Sequence, residues 1–435
     1  GPEEVAEAMR WPGIIGLGEM MNFPGVFMND KKMHAEMAET MKAKKTIGGH
    51  YASLDLGRPF HGYVAGGPAD DHEGTRVKDA VARVRQGMKA MLRLGSAWHD
   101  VASQVKAITE MGLDSRSFIL CTDDCHPGTL INDGHMNRVV RHAIEQGLKP
   151  ITAIQMATIN TAEHFGVEKD IGSITPGRYA DIIISSDLVK LPIEMVVSGG
   201  EILAEAGQMT VDLPIYTYPD SAKNSIRLGR ELTNEDFVAK APTENKPVKV
   251  RAIGVIENQA PTKLEERVVP VENGRIQADP RLDVAHIALV ERHRNTGNVV
   301  NGFVTGFGFN KRCAIATTVA HDSHHMIVTG TSRKNMALAA NRLGEVGGGI
   351  VVYQDGKELA LVELPVAGLM SDERAEIVAQ KADRMMAAFR TVGCQLNNAY
   401  MQLSLLALVV IPELRISDLG LVDVTKFEFV PLIVE

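Results

Sequence analysis

Over its first 150 residues the chain repeats one unit: a short apolar run broken by a polar residue, then an amphipathic stretch of helical period. Alternation of that kind leaves few folds open. Parallel strands need a crossover of a dozen or so residues, usually a helix. The apolar runs are residues 14–17, the segment KKTIGGH ending at His50, a short strand before His72, and residues 117–121 before Asp123. Between them VKDAVARVRQGMKAMLRLG reads as one helix closing on Gly95 with basic residues in its last turn, and VASQVKAITEMG and HMNRVVRHAIEQG read as two more. The pattern predicts an α/β fold with a parallel sheet, open or closed into a (β/α)8 barrel. In such a barrel catalytic groups sit at the C-terminal strand ends.

Glu19, His50, His72 and Asp123 stand at four successive strand ends. Imidazole nitrogens and carboxylate oxygens are a ligand set for a borderline or hard divalent ion. Asp123 is followed by Asp124, and adjacent acids are costly to bury without a counter-charge. A metal, or a proton shared in catalysis, is the expected answer for Asp123; Asp124 is read as a supporting or structural acid. Single residues carry less: His142 and His164 on helices read as surface or satisfied core histidines. Cys121 and Cys125, two of four cysteines with no C-x-x-C pair among them, read as small buried hydrophobes rather than ligands. So few thiols in 435 residues suit a reduced, cytoplasmic protein. A formal net charge of -8 with no long basic run argues against nucleic acid, and no apolar run reaches the length of about 20 residues that a membrane span needs.

Past residue 150 the period changes. LKPITAIQMATINTAEHFGV is a helical pair that completes a first region, residues 1–168; Gly-Pro turns and short apolar runs over 169–212 predict a small β-domain segment. Residues 213–245 read as a linker and 246–435 as a separate α+β domain, with VKVRAIGVIEN and VAHIALVERH as strands and NMALAANRLGEVGGG and ERAEIVAQKADRMMAAFRTVG as helices. In AHDSHHMIVTG, His321, Asp322, His324 and His325 crowd one strand-to-loop junction. They read either as structural residues or as part of an active-site mouth or another metal site. HRNTGNVVNG lacks the Gly-Lys-Ser/Thr ending of a phosphate loop.

MATINTAEHFGV with GSITPGRYADIIISSDL resembles the closing signature of the amidohydrolase superfamily. GLGEMMNFPGV, GGHYASL, DDHEGT, CTDDCHPGTLINDGHMNRVVRHAI, TTVAHDSHHMIVTGTS and NRLGEVGGGIVV together resemble the bacterial adenine deaminases within it. That resemblance implies a (β/α)8 amidohydrolase barrel, of which residues 1–168 are the C-terminal part, a small β-sandwich segment and a C-terminal α+β domain. It implies a binuclear manganese or iron site, with Glu19 bridging the metals, His50 and His72 on one ion, and Asp123 on the other and moving protons. Glu73 is implied as an orienting acid or a proton donor to a ring nitrogen. The implied reaction is hydrolysis of adenine to hypoxanthine and ammonia, in purine salvage, by a cytoplasmic homo-oligomer.

The family's first-strand His-x-His pair has no counterpart, since no two histidines stand two apart. The expectation is therefore that the chain lacks an N-terminal portion and alone turns over little. The alternatives are an amidohydrolase acting on a cyclic amide, and a truncated, inactive structural or assembly fragment.

Overall fold

The computed structural model describes residues 1–434 and divides into two compact units, Gly1–Ile215 and Tyr216–Glu435. The first unit begins with α1 (Pro2–Ala8), β1 (Gly16–Met20), α2 (Phe23–Phe27), α3 (Lys31–Lys42), β2 (Thr46–Gly49), α4 (Arg58–Ala65) and β3 (Asp70–Asp71). It continues through α5 (Val77–Arg85), β4 (Lys89–Arg93), α6 (Val101–Gln104), α7 (Lys106–Thr109), β5 (Phe118–Cys121), α8 (Pro127–Asn132), α9 (Met136–Glu145), α10 (Pro150–Ala157) and α11 (Ile159–His164). β1 pairs with β2, and β4 pairs with β3 on one side and β5 on the other, all in parallel. A backbone bond from Ala69 to Ile47, 2.8 Å, links β2 to the start of β3. All five strands thus run the same way, and their C-terminal ends share one side.

The stretch 77–95 corrects the single helix expected from its pattern. Helix α5 stops at Arg85, and Gly87 takes the left-handed conformation at φ 85°. The Met88 amide closes the helix end by bonding the Arg83 carbonyl, 3.0 Å, a C-terminal motif that glycine permits without strain. The chain then enters β4 instead of a further helical turn, because Ala90 and Leu92 are fully buried between β3 and β5 and pack with Val101, Val105, Phe118 and Val139. Tertiary burial here overrides a helical propensity. VASQVKAITEMG also differs: it forms two short helices rather than one.

The small β-layer is a four-stranded antiparallel sheet of β6 (Ile182–Ile184), β7 (Met195–Ser198), β8 (Glu201–Glu205) and β9 (Gln208–Met209). Short strands were expected in this stretch, and short strands form.

The second unit opens with α12 (Asp220–Lys223), β10 (Val248–Val255) and β11 (Thr262–Val269), then a hairpin of β12 (Val271–Glu272) and β13 (Arg275–Ile276). Next come β14 (Ala285–Val290), β15 (Val299–Thr305), β16 (Cys313–Thr317), β17 (Met326–Gly330), α13 (Arg333–Glu345), β18 (Gly349–Gln354), β19 (Lys357–Glu363) and α14 (Ala375–Thr391). Eight of these strands make one sheet in the order β11-β10-β15-β14-β17-β16-β18-β19, antiparallel except where β10 meets β15. Strand period explains its burial: Ile287 and Leu289 pack on the side of α14, with Met385 and Phe389, while Ala288 and Val290 pack on the side of α13, with Met336 and Leu343. The stretch 213–245, expected as a linker, contains residues packed into the second unit. Leu232 and Phe237 are buried in the α13 cluster, and the Asn341 side chain bonds both the amide and the carbonyl of Leu232, at 2.9 and 2.8 Å.

Candidate active site and metal centre

Glu19 lies on β1 one residue from its end, His50 directly after β2, His72 and Glu73 directly after β3, Arg93 at the last position of β4, and Asp123 two residues beyond β5. Parallel strands bring these positions together. Glu19 Oε2 is 3.1 Å from His50 Nδ1 and 2.9 Å from His72 Nε2, and the two imidazoles meet edge to face at 5.2 Å. Glu73 Oε1 lies 3.8 Å from His50 Nδ1 and 3.6 Å from His72 Nε2. Asp123, at φ 63° in the left-handed region that aspartate tolerates better than most side chains, reaches the same group from β5.

The electrostatics are those of a site short of positive charge. Burial opposes ionisation of Glu19, yet hydrogen bonds from His50 and His72 outweigh it and hold the carboxyl well below the usual carboxylate range. Burial likewise opposes charging His72, but the bond to Glu19 and the charge of Glu73 push it up to about 9. His50 moves up for the same reasons, with burial opposing and Glu73 and Glu19 prevailing. Glu73 is disfavoured by burial but lowered to about 2 by Arg93 and the two histidines. Without a metal the His72 imidazole therefore holds a proton where a cation would sit, and the shift of His50 runs in the same direction.

The side chains fit a divalent ion. Donor atoms of Glu19, His50 and His72 all lie within 4.8 Å of one another, and those of His72, Glu73 and Asp123 form a second such group. His50 Nε2 is buried with no hydrogen-bond partner, a nitrogen with unused ligand capacity. Among the described residues, convergent groups of this kind occur only in the first unit.

The other candidates separate from this site. Asp124 accepts from the Ala97 amide at 2.7 Å and ties the loop after β4 to the loop after β5. His164 is a satisfied core histidine, 2.6 Å from Asp70 Oδ2, and His142 is paired to Glu145 at 3.7 Å. The cysteines are free, and burial pushes the Cys121 thiol up to about 12, far from a ready thiolate ligand. His321, Asp322, His324 and His325 lie in the second unit, before β17. The His321 and His324 rings are 5.4 Å apart, and His325 Nε2 is 3.6 Å from Asp418 Oδ2. Their donor atoms do not gather into a ligand group of three among the described residues.

The sequence pattern missed Arg93. Its guanidinium is 3% exposed; Nη1 donates to Glu73 Oε1 and, at 2.7 Å, to Asp123 Oδ2, and Nε donates to Asp100 Oδ2 at 2.6 Å. The signal for it was Gly87, which ends a helix early and turns MKAMLR into a strand whose last residue faces the site.

At the C-terminal ends of these parallel strands two histidines and several carboxylates gather, and residues 61–203 match the amidohydrolase family. Residues 259–428 match the adenine deaminase C-terminal domain. "Adenine deaminase 3" of Rhizobium meliloti (strain 1021) is 68% identical over 431 residues, spanning 99% of this chain and 72% of that relative. The adenine deaminase of Moorella thermoacetica is 48% identical over 433 residues, again across 72% of the relative's length. The chain belongs to the adenine deaminase family. Among solved structures, a β-aspartyl dipeptidase from Fervidobacterium islandicum AW-1 overlaps 49% of this chain and 62% of its own at 18% identity and a TM-score of 0.39, too slight a likeness to bear on function.

Proposed function

We propose that the protein hydrolyses adenine to hypoxanthine and ammonia at a divalent-metal site held by Glu19, His50, His72 and Asp123. The observation that carries this is the convergence of Glu19, His50 and His72 from three different strands onto one point, in a chain 68% identical to a curated adenine deaminase. Glu19, whose Oε2 contacts both histidines, would hold a divalent ion, manganese or iron, together with them. A bound divalent ion acidifies water and so supplies a nucleophile at neutral pH.

The chain's own groups do the rest. Asp123 accepts the proton of the attacking water as a new bond forms to the ring carbon bearing the amine. It then delivers that proton to the exocyclic nitrogen, which leaves as ammonia when the C–N bond breaks. Glu73 sits between the histidines and Arg93, where it orients the purine ring or exchanges a proton with a ring nitrogen.

The wider reading is a (β/α)8 barrel completed beyond the five strands seen here, in a homo-oligomeric, cytoplasmic enzyme of purine salvage. Four free cysteines suit a reducing compartment, and no helix among the described residues is long and apolar enough to cross a membrane. Coupled detection of hypoxanthine and ammonia from the full-length, metal-loaded enzyme tests the reaction. Equal yields of both support it, and ring-opened products from cyclic amides with adenine left intact refute it.

A further inference from the structure

We propose that Arg93 is a positioning residue for the deamination, one that fixes the orientation of the Asp123 carboxyl and its spacing from Glu73. The inference rests on the reading of Asp123 as the proton carrier. Arg93 is the hub of the acids on this face: Nη1 binds Glu73 Oε1 and Asp123 Oδ2, and Nε binds Asp100 Oδ2. The guanidinium is itself held, lying 5.9 Å from the centre of the Trp98 ring, with Trp98 only 9% exposed. Its backbone is fixed by register, since Arg93 on β4 pairs with Cys121 on β5, two residues before Asp123.

Three features distinguish this from an ordinary buried ion pair. A carboxylate that is first base and then acid must present the same oxygen to water and to the leaving amine. The bond from Arg93 Nη1 to Asp123 Oδ2 fixes which way the carboxyl is turned for both transfers. The anchor must also not compete for the proton. Arginine meets that need because its guanidinium stays charged at any working pH, whereas a buried lysine does not. Finally, the same nitrogen holds Glu73, so the acid between the histidines and the acid after β5 are spaced by one rigid, planar group. An ammonium has no such fork and cannot reproduce these three contacts in fixed geometry.

The test uses Arg93→Ala, Arg93→Lys and Asp123→Asn in the full-length, metal-loaded enzyme. It measures kcat, KM for adenine, metal per chain and thermal midpoint, with and without added guanidinium ion at concentrations that leave the wild type unaffected. Misplacing a catalytic group by an ångström costs about 10²-fold. Both Arg93 variants should lose kcat by about that factor, with KM shifted only a few-fold and metal content kept. Guanidinium should restore part of the kcat of Arg93→Ala and nothing in Asp123→Asn. Wild-type kcat in Arg93→Lys overturns the inference. So does a loss in Arg93→Ala that follows metal content or thermal midpoint and that guanidinium does not repair. Wild-type turnover in Arg93→Ala beside a dead Asp123→Asn overturns the inference alone, whereas turnover in Asp123→Asn overturns the reading of Asp123 on which it rests.

Discussion

Metal uptake by this site should expel protons, and His72 sets the size of the effect. Its Nε2 is 2.9 Å from Glu19 Oε2, and although burial opposes the charge, that contact and Glu73 raise its pKa to about 9. At pH 7 a group titrating near 9 is protonated in about 99 of 100 molecules, and removing that proton costs about 3 kcal/mol, or roughly 100-fold in apparent affinity. His50 is raised as well, so a second proton contributes over part of the range. The dissociation constant for Mn(II) should therefore fall about tenfold per pH unit per proton as pH rises from near neutrality, and level off near pH 9. Calorimetric titration in buffers of different ionisation enthalpy counts the protons directly: at least one per metal at about pH 7. A dissociation constant that stays flat between about pH 6.5 and about pH 8.5, with heats independent of buffer, would refute the placement of the ion on His72. The same shift fixes a sign for stability of the metal-free protein. A histidine raised from 6.5 to about 9 stabilises the fold fully below about pH 6.5, and that stability is lost as pH climbs through about 9. The lowering of Glu19 reflects the same contact and is not a second contribution.

The geometry carries three further expected outcomes. His50→Ala removes one of three convergent ligands and should cost most of the metal affinity, read by equilibrium dialysis, while circular dichroism stays unchanged. Asp123→Asn keeps the side chain's size but not its basicity, and turnover of adenine should fall by about 10²- to 10⁴-fold, and further if the metal is lost with it. Leu92→Ala empties a fully buried position on β4 and should destabilise the first unit by about 2–5 kcal/mol in chemical denaturation, with no comparable effect on the second unit.

Much of the site could be read from the chain because its residues sit at points where period changes. His50 and His72 each close an apolar run and open a loop, and Glu19 and Asp123 do nearly the same. Strand direction then does the assembling, so no long-range information was needed to group them. Arg93 was hidden for the opposite reason. MKAMLRLG continues the spacing of the helix before it, and only its burial between β3 and β5 makes it a strand. Position 87 carried the one local sign, a glycine whose left-handed backbone ends the helix. The stretch 213–245 reads as a linker through composition. It is polar and carries few apolar residues, but Leu232 and Phe237 are enough to dock it on α13. The density of His321, His324 and His325 in sequence likewise did not become a ligand group of three in space among the described residues.

Stripping and restoring the metal tests whether deamination of adenine depends on it. The full-length enzyme, freed of metal by chelation and then titrated with Mn(II) or Fe(II), should gain adenine-to-hypoxanthine turnover in proportion to bound metal, releasing one ammonia per hypoxanthine. Asp123→Asn should bind adenine and stay at least about 10²-fold slower throughout. Turnover of adenine at the same rate by the metal-free enzyme, or none by the fully loaded one, would contradict the account.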